Sequence, residues 1–180
     1  MAKLDTATLA GGCFWCTEAI FKRIKGVSKV ISGYSGGRTE NPNYDQVSQG
    51  STGHAESIQL EFDPEIISYE KLLEVFFHLH DPTTLNRQGN DVGPQYRSAI
   101  FYHSDEQKKI AQKIKAKIKK EKVYAAPIVT EILPYQNFFK AKESHQNYYD
   151  SNRNQPYCQV IIDPKIKKLM KEFKTVVKRS

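Results

Sequence analysis

Apolar residues recur along the chain with two periods, and these mark out its elements. Residues 6–10 are a β-compatible run entering a Gly-Gly turn; 17–25 place Ala19, Ile20 and Ile24 on one side and Lys22, Arg23 and Lys25 on another, which predicts a helix closed by Gly26. Val27, Val30 and Ile31 predict a strand over 27–34, and the alternation of Ile58, Leu60 and Phe62 predicts another over 56–62. Ser68 caps a predicted helix carrying Leu72, Leu73, Phe76, Phe77 and Leu79, and Asp81-Pro82 ends it. A strand over 98–103 leads into Ser104 and Gln107, a capping-box pattern before a long helix with Ile110, Ile114 and Ile118 at four-residue spacing. The rest reads as a strand over 127–133, a helix within 137–150 anchored by Phe138, Phe139, Tyr148 and Tyr149, a polar loop over 151–157, a short apolar run at 158–162, and an amphipathic helix opened by Pro164 and running through Ile166, Leu169, Met170, Phe173, Val176 and Val177.

The first half therefore runs strand, helix, strand, strand, helix, strand. That order predicts an α+β fold: a ferredoxin-like two-layer sandwich with a mixed sheet and additional C-terminal helices, in one catalytic domain over 1–180. Two turn-rich segments, 35–53 and 81–95, are longer than ordinary connections, and long loops in compact domains usually have a function.

Charge sharpens the picture. The formal net charge is +7, but 104–122 and 163–180 each carry a net +5, so the rest of the chain carries −3. The positive charge thus belongs to two helix faces, which read as solvated lysine surfaces rather than a nucleic-acid site. No apolar run approaches the roughly 18 residues of a spanning helix, and the N-terminal residues lack a secretory core. A cytoplasmic monomer is expected, in a compartment that keeps thiols reduced.

The candidate chemistry centres on GGCFWCTE at 11–18, which holds two of the three cysteines and the single tryptophan. Cys13 falls at a strand-to-helix turn, where unpaired N–H groups and the helix dipole favour a thiolate. Four zinc ligands in two close pairs are not present, so no metal is expected. A general Cys-x-x-Cys thiol-disulfide exchanger competes, because that motif at a helix start is its signature. Tyr44, His54, Glu56, Asp91 and Tyr96 each have an ordinary structural reading as packing, loop or turn residues.

Five blocks in order, GCFWC at 12–16, GYSGG at 33–37, NPNYDQV at 41–47, TGHAE at 52–56 and NDVGPQYRSAI at 90–100, resemble the peptide methionine sulfoxide reductase family, A type. The resemblance spans about residues 11–162 and agrees with the ferredoxin-like order. It implies that Cys13 attacks the sulfoxide sulfur of the S epimer of methionine sulfoxide, free or in oxidised proteins. It also implies that Phe14 and Trp15 wall the S-methyl group and that Glu56 protonates the oxygen. Tyr44 and Tyr96 would hold that oxygen, with Asp91 acting through an ordered water. An acid still protonated near neutral pH needs a dry pocket, since an ordinary glutamate titrates near about 4.3. The resulting sulfenic acid would be resolved to a disulfide, with no bound cofactor and with electrons from thioredoxin. Cys158 resembles the family's recycling position and is favoured as resolving thiol, because Cys16 lies on the helix; Cys16 is also near in sequence, and a relay through both stays open.

Overall fold

The computed structural model describes residues 3–179. Its elements are β1 (Asp5–Gly11), α1 (Phe14–Phe21), β2 (Val27–Ser35), α2 (Tyr44–Ser48), β3 (Ala55–Phe62), α3 (Tyr69–His78), β4 (Arg87–Gln88), β5 (Asp91–Val92), β6 (Ser98–Tyr102), α4 (Asp105–Lys120), β7 (Glu131–Pro134), β8 (Phe139–Lys140), α5 (Tyr148–Ser151) and α6 (Asp163–Glu172). The main sheet has the order β7-β6-β1-β3-β2-β8, and β4 pairs with β5 in a separate hairpin. β6 and β7 are parallel and the other neighbours antiparallel. The central order β6-β1-β3-β2, with α1 and α3 as crossovers, is the ferredoxin-like arrangement that the order of elements predicts.

Alternation decides which side chains the sheet buries. Leu9 lies opposite Ile58 and Ile100, and Leu60 opposite Ala7, so these side chains share one face. Together with Phe14, Ile20 and Phe21 of α1 and Leu72, Leu73, Phe76 and Phe77 of α3 they build the main core. Ala10, Ala55, Ala99 and Phe101 form a smaller cluster. Ser68 and Ser104 cap α3 and α4 as their positions predict.

Four local expectations are corrected. The first helix spans Phe14–Phe21, not 17–25, and its C-cap is Lys22. The C-terminal segment claims the backbone beyond it: Lys25 N–H donates to Val176 O and Ile24 bridges to Val177, while Gly26 turns the chain at φ +86°. The strand expected at 127–133 is β7, beginning only at Glu131. The helix expected within 137–150 is instead β8, a 3-10 turn at Glu143–His145 and the single turn α5. There the edge of β2 captures the chain, with Ala141 N–H donating to Ser32 O and the Gln146 side chain bonding both backbone groups of Ser32. The run Cys158–Ile162 is a π-helical turn continuous with α6, which ends at Glu172. Among the described residues no helix is long and apolar enough to cross a membrane.

A buried histidine behind the first turn sets a pH limit on stability. His80 Nδ1–H donates to Phe76 O, and its Nε2 lies 2.8 Å from Ser98 Oγ. Burial pushes its pKa down to about 4. In the unfolded chain it titrates near about 6.5, so its share of stability is full above that pH and is lost as pH falls toward 4. The loss amounts to about 3 kcal/mol at most. Urea unfolding should therefore show the stability advantage of the wild type over His80→Gln shrinking between pH 6.5 and 4; a constant difference would contradict this.

Candidate active site

The site starts where β1 ends. Gly12 adopts φ +93°, and a Cβ there would lie 2.5 Å from Cγ of Gln88, so only glycine lets the β4 hairpin pack on this turn. The turn delivers Cys13 to the N-cap of α1, where its carbonyl accepts from Cys16 N–H at 3.1 Å. All three cysteines are free and buried. Cys13, Cys16 and Cys158 pack in one cluster with Ala19, Tyr149 and Ile162.

The electrostatics correct the expectation that the helix start ionises Cys13. Burial pushes the Cys13 thiol well above its ordinary range, and the neighbouring Cys16 thiol and Glu56 carboxylate push the same way; the Trp15 N–H that reaches its sulfur offsets this only in part. Desolvation outweighs the helix terminus. Cys16 is instead held down at about 7, chiefly because the Cys13 thiol hydrogen-bonds to it, with the Lys165 charge assisting. The two thiols titrate as a pair that shares a proton. Cys16 Sγ also lies 3.7 Å from Tyr157 Oη, and that hydroxyl donates to Asp91 Oδ2 at 2.9 Å. The Cys158 thiol, in the same cluster, is raised by burial and then by the charge of Cys16.

Glu56 continues the inward stripe of Ile58 and Leu60 and ends up beneath α1, 1% exposed. Its Oε1 accepts Phe14 N–H at 3.2 Å, and its Oε2 has no protein partner. Burial pushes its pKa up to about 8, and the charges of Asp91 and Cys16 add to this. The hydroxyls of Tyr44 and Tyr96 are likewise raised, first by burial and then by Glu56. Both loops thus converge on the cysteine turn. α2 brings Tyr44, fixed by an Asn43–Gln46 capping box that the loop composition had masked, and the β4–β5 hairpin brings Asp91 and then Tyr96.

Phe14 is fully buried, whereas Trp15 is half-buried among three residues that sequence reasoning did not assign to the site. Trp15 stacks on Tyr148 with centroids 3.7 Å apart, meets Tyr157 edge-on, and donates its Nε1–H to His145 Nδ1 at 3.3 Å. His145 in turn stacks on Tyr44. The one signal for these residues was the aromatic density of 145–157, which reads equally well as helix packing. His54 lies elsewhere: its ring accepts Gly37 N–H and bonds Thr39 O, stapling the 35–53 loop.

Of the residues singled out from the sequence, Cys13, Phe14, Trp15, Cys16, Tyr44, Glu56, Asp91 and Tyr96 meet in one place, and Cys158 joins through Cys16. A sulfur nucleophile beside a carboxyl that keeps its proton near neutral pH suits attack on a centre whose oxygen must be protonated to leave. The model of the family described as "Peptide methionine sulfoxide reductase" matches residues 5–177. The peptide methionine sulfoxide reductase MsrA of Sulfolobus acidocaldarius is 56% identical over 170 residues, which cover 94% of this chain and 96% of its own. The crystal structure of Mxr1 from Saccharomyces cerevisiae in reduced form superposes with a TM-score of 0.81 at 37% identity, over 87% of this chain and 90% of that one. Mxr1 in complex with Trx2 superposes with a TM-score of 0.57 at 30% identity, over 81% and 85%.

Proposed function

The chain belongs to the peptide methionine sulfoxide reductase family, and from that premise we propose how its residues divide the work. The reaction is the reduction of methionine sulfoxide to methionine. The substrate is the S epimer, free or within an oxidised protein, with its S-methyl group against Phe14 and Trp15. Tyr44 and Tyr96 hold the sulfoxide oxygen beside Glu56, and Asp91 assists through an ordered water. Cys16, the lower of the paired thiols, takes the Cys13 proton as the Cys13 sulfur attacks the sulfoxide sulfur, and Glu56 delivers its proton to the oxygen. The sulfoxide S–O bond breaks, the protonated oxygen passes to the Cys13 sulfur as a sulfenic acid, the two electrons that sulfur gives up go to the substrate sulfur, and methionine departs.

We read Cys16 as the first resolving thiol, ahead of Cys158, because it follows Cys13 by three residues and packs in the same cluster. Cys16 attacks the sulfenic sulfur, water leaves, and a Cys13–Cys16 disulfide forms. The Cys158 thiol then exchanges into that bond, freeing Cys13 and leaving Cys16–Cys158. Thioredoxin reduces the last disulfide, a reading supported by the solved complex of Mxr1 with Trx2. A dithiol-driven cycle suits the cytoplasm, and the site is complete within one chain, so we assign a cytoplasmic monomer.

The observation that carries this reading is a buried Glu56 with one oxygen held by Phe14 N–H and the other free, beside the paired thiols. Its test is one turnover with methionine sulfoxide and no reductant. The wild type should yield one methionine per chain and end as Cys16–Cys158, while Cys158→Ser should stop at Cys13–Cys16 with no loss of rate. Disulfide exchange without methionine formation would support a general oxidoreductase instead. A Cys13–Cys158 bond formed at full rate in Cys16→Ser would reject the relay.

A further inference from the structure

Tyr34 has no part in the reading above, yet it is built into the same pocket. It pairs directly with Glu56 in the β2–β3 ladder, so both side chains rise from the same face of the sheet as close neighbours. Its ring packs 5.6 Å from that of Phe14, the residue whose N–H holds Glu56 Oε1. Tyr34 is 1% exposed, and its hydroxyl and Glu56 Oε2 are both buried without a protein partner. Native proteins seldom leave such groups unsatisfied. Two neighbouring orphaned oxygens can be satisfied together by one shared water. The groups around this pair are Cys13 and Cys16 from α1, Tyr44 and Asp45 from α2, Asp91 from β5, Tyr96 and, beyond the Phe14 ring, His145.

We propose that Tyr34 is a positioning residue for Glu56: through one water its hydroxyl donates toward Oε2 and stabilises the carboxylate that Glu56 becomes on releasing its proton. Burial keeps the tyrosine protonated well above neutral pH, so it is a donor throughout the cycle. The inference rests on Glu56 being the acid, and it adds the group that makes that acid strong enough to let go.

The test compares single-turnover rates of wild type, Tyr34→Phe and Glu56→Gln across pH. Tyr34→Phe keeps the ring and its packing. It should be about tenfold slower at an unchanged half-saturating sulfoxide concentration. Its alkaline limb should move to higher pH, because the carboxylate has lost its support. A packing role alone would let water in and move the limb to lower pH. A limb that stays put or moves down in Tyr34→Phe overturns the inference while leaving the acid assignment intact. A Glu56→Gln enzyme at the wild-type rate overturns both.

Discussion

Cys13→Ser should lose turnover by roughly 10⁴-fold or more, with the fold unchanged. A serine hydroxyl is close in size to the thiol but is far less nucleophilic and cannot hold the transferred oxygen as a sulfenic acid. Cys16 does not substitute, even though its thiol ionises more readily, because it sits one turn into α1 while Cys13 stands at the N-cap. The pair should also report the change directly. In Cys13→Ala, which leaves no donor at this position, the thiolate at Cys16 loses the largest influence holding its pKa near 7, so its titration should move to higher pH. Thiolate absorbance against pH reads this. A serine variant that reduces methionine sulfoxide at the wild-type rate would remove Cys13 from the chemistry.

Glu56→Gln should lower the rate of the reductive step by about 10²- to 10⁴-fold, the usual worth of a placed general acid. Glutamine keeps the shape and the bond from Phe14 N–H but has no acidic proton to deliver. The active form needs Cys16 ionised and Glu56 protonated, so wild-type activity should fall on the acid side of about pH 7 and, through Glu56, tenfold per unit above about pH 8. The variant should lack the alkaline limb. Stability should move the other way. A folded-state pKa raised from about 4.3 means that the native protein is progressively disfavoured as pH rises from there to about 8, where its carboxyl must ionise in a dry site. The amide never ionises, so Glu56→Gln should melt above wild type at pH 8 and near it at pH 4. Unchanged dithiol exchange alongside lost sulfoxide reduction would separate this enzyme from a general oxidoreductase. An equal melting difference at both pH values would show that Glu56 is not held in a dry pocket.

Much of this was legible locally. The period-2 stripe of Ile58, Leu60 and Phe62 includes Glu56 by parity, although a carboxylate at a strand start reads as exposed when taken alone. What reverses that reading is α1 lying over the stripe, with Phe14 N–H and the Phe14 ring covering the carboxyl. The helix expected within 137–150 is cut to the single turn α5 for a similar reason: its aromatic residues were right as anchors, but their partners are Trp15 and the β2 edge rather than one another's helical neighbours.

The sequence by itself determined the strand and helix order of the ferredoxin-like core, the caps at Ser68 and Ser104 and the turn that presents Cys13, and its five motif blocks carried the resemblance to the family. The elements, caps and turn follow from periods of two and 3.6 residues and from the backbone freedom of particular residues, all short-range properties of the chain. Only the tertiary structure decided that burial raises the Cys13 thiol, that Tyr157 lies against Cys16, and that Glu56 is pushed toward keeping its proton. Those depend on how much water each group loses and on groups brought close from as far as 141 positions away, as Tyr157 is to Cys16. Desolvation and proximity are properties of the assembled site, and no local pattern carries them.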